Sequence, residues 1–198
     1  MKILVINPGS TSTKIAVYEN ETPLLVRNIK HTVEELSVYP QVIDQFEFRK
    51  NLVLQELEAN GIPFAFDAVI GRGGLVKPIP GGVYAVNEAM KQDTLHAMRT
   101  HACNLGGLIA AELASALPHC RAFIADPGVV DEREEIAHIS GSPLLPKITI
   151  WHALNQKAIA RRFAKEQGSR YEDLDLIICH LGGGISVAVH HHGRAIDS

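Results

Sequence analysis

Two glycine-bearing loops carry most of the chemistry that this sequence offers. The first, Asn7-Pro8-Gly9-Ser10-Thr11-Ser12-Thr13-Lys14, brings hydroxyls, one cation and a glycine that lets backbone N–H groups turn toward one point. Those groups together can hold phosphate oxygens. The loop is not a P-loop, which runs from a strand into a helix and sets Lys beside Ser or Thr. An ordinary hydroxyl-rich hairpin turn fits the composition equally well. The second loop, His180-Leu181-Gly182-Gly183-Gly184, lets a backbone approach a ligand with no side chain in the way. Alone it is a common kind of turn; paired with the first it suggests two phosphate hairpins gripping a nucleotide.

Single residues add to this. Arg72 sits in the glycine-rich stretch Gly71-Arg72-Gly73-Gly74, and a guanidinium forks onto a carboxylate. A solvated loop arginine is the plainer reading. His152 follows Trp151 at the start of a helical stretch, where anions are favoured, although an isolated histidine is more often structural. Asp126 ends an apolar run before Pro127-Gly128, a common turn-forming position, and Asn7 precedes Pro8-Gly9 in the same way. His190-His191-His192 is expected at an exposed hairpin tip. Glu132, Glu134 and Glu135 around Arg133 are expected on a solvated charged face.

The elements that must position these residues follow from periodicity. Lys2–Ile6, Lys14–Tyr18 and Leu24–Lys30 read as consecutive strands, hence an antiparallel meander. Gln41–Asn60 shows helical spacing and stops at Gly61; Glu88–Arg99, Leu105–Leu117 and Trp151–Gln167 are further expected helices. Ala68–Gly71 and Ala122–Ala125 read as strands, and Leu174–His190 as two strands around the glycines. Strands followed by alternating helices and strands predict an α/β fold with a mixed sheet. Leu4-Val5-Ile6, glycine loop, Ile15-Ala16-Val17 is echoed by Leu176-Ile177-Ile178, glycine loop, Val187-Ala188-Val189, as in two related lobes. The irregular stretch 127–146 is the expected junction, giving domains 1–145 and 146–198.

Composition narrows the function. The 198 residues are 46% hydrophobic and 21% charged, which excludes a disordered or fibrous chain. A formal net charge of −3 leaves no cationic excess for nucleic acid. No apolar run approaches the ~20 residues that span a bilayer, and the opening apolar run is too short for a signal peptide. Cys103, Cys120 and Cys179 lack metal or disulfide spacing and suit reduced thiols. The expectation is a cytoplasmic protein with neither nucleic-acid nor membrane partners.

The Ile6–Lys14 run resembles the opening signature of the butyrate kinases, short-chain acyl kinases of the acetate kinase group. That group is related to sugar kinases, heat-shock chaperones and actin. Gly71–Gly74, His101–Gly107, Trp151-His152-Ala153-Leu154-Asn155-Gln156-Lys157 and Cys179–Gly184 resemble that branch in the same order. The resemblance implies a ribonuclease H-like (actin-like ATPase) domain with flanking helices, plus the incomplete start of a second similar lobe. It implies transfer of the ATP γ-phosphoryl to a carboxylate, with Mg²⁺, giving an acyl phosphate. A carboxylate of pKa about 4–5 is already ionised at neutral pH, so no base is needed; the site must bring two anions together and stabilise the transferring phosphoryl.

By resemblance, Arg72, Asp126 and His152 are catalytic, with Arg72, Gly73, Gly74 and His101 around the acid. Asp126 would orient an active-site arginine or a metal-bound water, and His152 would lie at the transferring phosphoryl. Asn7, Gly9, Ser10, Thr11, Ser12, Lys14, His180, Gly182, Gly183 and Gly184 would hold the ATP phosphates, and Asn7 would approach Mg²⁺ through water. Gly73 and Gly74 should leave room for a longer acyl chain, favouring butyrate or isobutyrate over acetate by about 0.8 kcal/mol per buried methylene. The family's members are longer, so the chain is expected to be a fragment, inactive alone if truncated, with an exposed sheet edge at its end. A homo-oligomer is the family expectation. Acetate or another carboxylic acid is the alternative substrate, and a non-catalytic phosphate-binding or dimerising fragment the alternative role.

Overall fold

The computed structural model describes residues 1–182 and 184–198. The chain forms two compact units. One comprises Met1–Val76 and Val83–Ala125, the other Lys77–Gly82 and Asp126–Ser198. The expected junction at 145/146 falls inside the second unit.

The first unit opens with the expected meander, β1 (Lys2–Pro8), β2 (Ser12–Glu19) and β3 (Thr22–Lys30). Alternation explains the pairing: Leu4 and Ile6 of β1 and Thr13, Ile15 and Val17 of β2 all turn to the buried side. The register sets Asn7 opposite Lys14 and Pro8 opposite Thr13, so the first loop is the turn of an antiparallel hairpin. β4 (Ala68–Arg72) pairs parallel to β1, and β6 (Arg121–Ala125) parallel to β4. These pairings need crossovers, supplied by α2 (Phe46–Ala59) and α4 (Asn104–Ser115). The sheet order is β3-β2-β1-β4-β6-β5, with β5 (Val83–Ala85) antiparallel at the edge. Val53 and Leu57 of α2 and Leu105, Ile109 and Leu113 of α4 close one core on the strands.

Two expectations are corrected in this unit. The helix expected to reach Arg99 is α3 (Glu88–Leu95), and the Gln41–Asn60 segment begins as a 3-10 turn over Val42–Gln45 before α2. The tertiary demand of α4 ends α3 early. The Asn104 amide donates to the Arg99 carbonyl, and the Cys103 N–H donates to His101 Nδ1, which shapes 96–103 as a lead-in to α4. Short α1 (Val33–Ser37), capped reciprocally by Thr32 and Glu35, and three-residue β5 were not expected.

In the second unit, α5 (Ala153–Glu166) precedes β7 (Asp175–His180), β8 (Ser186–His191) and β9 (Arg194–Asp197), an antiparallel sheet in that order. β9 adds a third strand that the sequence reading lacked. The histidine tip is also corrected. His190 lies on β8 and is fully buried, while His191 and His192 are exposed and the turn itself is His192-Gly193. The charged face is a second correction. Arg133 is buried against Asp131 at 2.9 Å, and Glu132 is ion-paired at 2.7 Å with the buried Lys157. Only Glu134 and Glu135 of that group are exposed.

Candidate functional site

The first hairpin is pinned from beneath and open above. The Gly9 N–H donates to the Ser12 carbonyl at 2.7 Å, closing the turn, and the His31 N–H donates to the Thr11 carbonyl. The fully buried Arg49 of α2 donates from Nη1 to the Ser12 carbonyl at 3.0 Å and to Thr13 Oγ1 at 2.9 Å. Gln45 Oε1 accepts from Arg49 Nε at 3.0 Å and from Nη2 at 2.9 Å. Arg49 has no carboxylate partner among the described residues, and burial lowers its pKa. Above this base, Ser10 and Thr11 are exposed, as is Lys14, and the Ser10 and Thr11 N–H groups and hydroxyls have no hydrogen-bond partner among the described residues. A set of uncommitted donors at one turn can take phosphate oxygens. The Asn7 amide is likewise without a partner and half-buried.

Arg72 ends β4 beside the start of α4. The approach is close enough that a Cβ on Gly106 would lie 2.3 Å from the Arg72 carbonyl oxygen, and one on Gly71 2.1 Å from the Gly106 carbonyl oxygen. Only glycines permit this contact, which sets Arg72 near His101 and Cys103 at the helix N-terminus. Partial burial, then the Arg72 charge, lowers the His101 pKa. Burial raises the Cys103 thiol pKa against a lowering by Arg72. A guanidinium with a helix N-terminus beside it is a place for a carboxylate. Gly73 and Gly74 are buried. A Cβ on Gly74 would meet Asn104 Cα at 2.7 Å, so packing against α4 by itself already demands that glycine. Asn104 Oδ1 also accepts from the Leu75 N–H at 3.0 Å.

The remaining candidates, Asp126, His152, His180 and Gly182 to Gly184, belong to the second unit. Asp126 is buried at a positive φ of 35°, a conformation Asp tolerates. Its Oδ1 accepts from the Gly82 N–H at 2.8 Å and its Oδ2 from Arg161 Nη1 at 3.1 Å. The arginine it holds in this unit is thus Arg161, half-exposed on α5, which sequence reasoning did not single out. His152 is the residue just before α5, at φ −89° and ψ 56°. Its ring stacks on His180 with centroids 3.7 Å apart and planes 2° from parallel. His180 Nδ1 is 3.0 Å from the Asn155 amide nitrogen and accepts from it. A Cβ on Gly184 would lie 3.2 Å from His152 Cε1 and 3.3 Å from Nε2, so that edge of the ring packs closely on the glycine. Gly182 is exposed, and Gly183 lies outside the described residues. The structure therefore brings His152, His180 and Gly184 together, and separately Arg72 with His101. Sequence reasoning missed Ser186, Gln156, Arg49 and Arg161. A serine two residues after the last glycine, or an arginine on an otherwise core-facing helix, was the available signal.

No helix among the described residues is long and apolar enough to cross a membrane. No family model matches the chain. Over all 198 residues it is 92% identical to a protein of Bacteroides thetaiotaomicron described as a probable butyrate kinase, covering 56% of that protein. It is 50% identical over 198 residues to butyrate kinase 1 of Clostridium acetobutylicum, with 99% of this chain and 56% of that protein covered. The chain thus spans about half the length of the curated relatives it matches. The acetate kinase structure of Porphyromonas gingivalis superposes with a TM-score of 0.67 at 20% identity, covering 99% of this chain and 56% of that one. The resemblance to butyrate kinases therefore holds along the whole chain, and the fold is the acetate kinase-like α/β fold with a mixed sheet and flanking helices.

Proposed function

We propose that the protein to which these residues belong is a butyrate kinase, moving the γ-phosphoryl of ATP to the carboxylate of butyrate or a related short or branched fatty acid, and back. The observation that carries this reading is the 92% identity along the full chain to the probable butyrate kinase. The geometry supports it: Arg72 beside a helix N-terminus suits the ionised acid, and the open donors of the first hairpin suit phosphate oxygens. In this reading Arg72, with His101 nearby, binds and orients the carboxylate, whose lone pair needs no activation. His152 donates a hydrogen bond to the transferring phosphoryl, where charge must be stabilised. Asp126 holds Arg161 and acts through it. Asn7, Gly9, Ser10, Thr11, Ser12 and Lys14 take phosphates at one hairpin, and His180 and Gly182 to Gly184 at the other.

Mg²⁺, when bound with ATP, neutralises phosphate charge. The unpartnered Asn7 amide fits an outer contact to it through water, because Mg²⁺ keeps much of its hydration shell. The reading places the protein in the cytoplasm, supported by three free cysteines. It includes association with further copies of the chain, supported by the exposed Ile177, Val187 and Val189 on the second sheet.

The test is acyl-phosphate formation, trapped as hydroxamate, with Mg-ATP and butyrate, isobutyrate or acetate, on the protein at the length of its relatives and on the 198-residue chain. Turnover with butyrate is expected from the longer protein. Arg72→Ala should raise KM for the acid on the order of 100-fold, the loss of a charge-assisted bidentate contact. Turnover confined to acetate, or an Arg72→Ala protein with unchanged KM, would sink the assignment.

A further inference from the structure

We propose that Ser186, itself held by the buried Gln156, fixes the neutral ring of His152 as the Nε2–H tautomer, so that the edge facing Gly184 carries a hydrogen-bond donor. The functional meaning of this rests on the kinase reading above. The geometry stands apart from it.

The donors and acceptors around Ser186 form a chain with one solution. Gln156 is fully buried, and one end of its amide lies 3.2 Å from the Ser186 carbonyl oxygen. A carbonyl only accepts, so that end is the NH₂ group, which also reaches Ser186 Oγ at 2.9 Å. The Gln156 oxygen must then face His190 Nε2, at 3.1 Å. That nitrogen therefore carries a proton. His190 is fully buried, and burial, then the Lys157 charge, lowers its pKa to about 4, so the ring is neutral and Nδ1 is an acceptor. The Tyr171 hydroxyl, 2.5 Å away, donates to it.

Ser186 Oγ now has its two lone pairs engaged, by the Gln156 amide at 2.9 Å and by the His152 backbone N–H at 3.3 Å. Its third contact is His152 Nδ1 at 2.9 Å. A hydroxyl has two lone pairs and one proton, so the proton goes to Nδ1. Nδ1 accepts, and the proton of the neutral ring sits on Nε2. The order is Tyr171 to His190 to Gln156 to Ser186 to His152, each donating to the next. Were Nδ1 protonated, Ser186 Oγ would face three donors and the ring would present a lone pair at the Gly184 edge. That lone pair would repel a phosphoryl oxygen rather than bind it. Ser186 and Gln156 are thus positioning residues, acting through His152.

The experiment is ¹⁵N-detected NMR of ring-labelled histidine in the full chain at pH about 8, above the ordinary imidazole titration, with His152 assigned by its loss in His152→Gln. The expected spectrum shows Nε2 protonated and Nδ1 unprotonated but shifted by a hydrogen bond. Ser186→Ala should remove that shift, Ser186→Thr should retain it, and Ser186→Asp, which can only accept when ionised, should turn the ring to the Nδ1–H form. A protonated Nδ1 in the unsubstituted chain overturns the proposal, as does an Nδ1 signal unmoved by Ser186→Ala. The spectrum of the unsubstituted chain decides the matter even if a variant does not fold. Failure of the hydroxamate assay would remove the kinase reading and leave this result standing; a wrong tautomer in an active kinase would do the reverse.

Discussion

His190 shows how one buried ring ties stability to pH. Its folded pKa is lowered to about 4 from 6.5, so between those values the unfolded chain binds a proton that the folded chain does not. Stability is full above pH 6.5 and is lost as pH falls toward 4. The limit is roughly 3 kcal/mol, from ~1.4 kcal/mol per pKa unit. Asp131, lowered to about 2 by its bond to Arg133 against the effect of burial, extends the loss to lower pH. Urea unfolding should therefore have a lower midpoint at pH 4.5 than at pH 7, and the gap should narrow in His190→Gln, which keeps a polar side chain without the titration. An equal gap in the variant would mean that His190 is not the source. The burial of this residue was hard to read from sequence for a physical reason. Along Val187-Ala188-Val189-His190 the alternation is clear, but the face that is covered holds Ala188 and His190, and the exposed one holds the valines. Periodicity gives two faces and does not say which one a neighbour covers.

At the level of elements, the contact of β4 with α4 is the tight approach that sets Arg72 beside the start of α4. Gly71→Ala would push a methyl to 2.1 Å from a backbone oxygen that cannot swing away. It should cost at least 2–3 kcal/mol in denaturant unfolding, typical of overpacking where the backbone must move. Gly61→Ala is the control: its φ is +65° with nothing within 4 Å, so only the left-handed conformation resists, at about 1 kcal/mol. Equal losses would show that α4 can shift to make room. The meander and both long crossover helices were legible because their apolar periods are long and regular. Strand β5 was not, since three residues carry no period, and α1 was not, since it buries nothing. Its Thr32–Glu35 capping box was the sign to look for. The turn itself was legible in Asn7 to Lys14, whereas its support from Arg49 required knowing that α2 passes beneath.

For the whole chain, Glu132 joins segments that are far apart in sequence. Oε1 accepts from the Gly81 N–H at 2.8 Å, Oε2 from the Ala195 N–H at 2.9 Å, and Lys157 Nζ bonds both oxygens and the Gly193 carbonyl. Burial opposes the ionised acid here, but these bonds outweigh it and lower the pKa. Lys157→Met should cost about 3–5 kcal/mol, because it leaves a buried carboxylate uncompensated, and the double variant Lys157→Met/Glu132→Gln should recover part of that loss in the same urea titration. No recovery would mean that the lysine matters through packing alone. Sequence inspection left Glu132 among solvated acids, because its partners lie 25 to 63 positions away.

The same residue gives the chain a timetable. The strap Lys77–Gly82 leaves the ribosome early, flanked by segments of the first unit, yet belongs to the second. By the time Ala125 is made, every strand of the six-stranded sheet exists. Ala195, the last ligand of Glu132, is still unmade, and at about 5–20 residues per second its synthesis is several seconds away. The nascent chain therefore passes through a stage in which every strand of the first sheet has been made while the second unit still lacks its last strand, and the strap has no fully seated carboxylate to hold it.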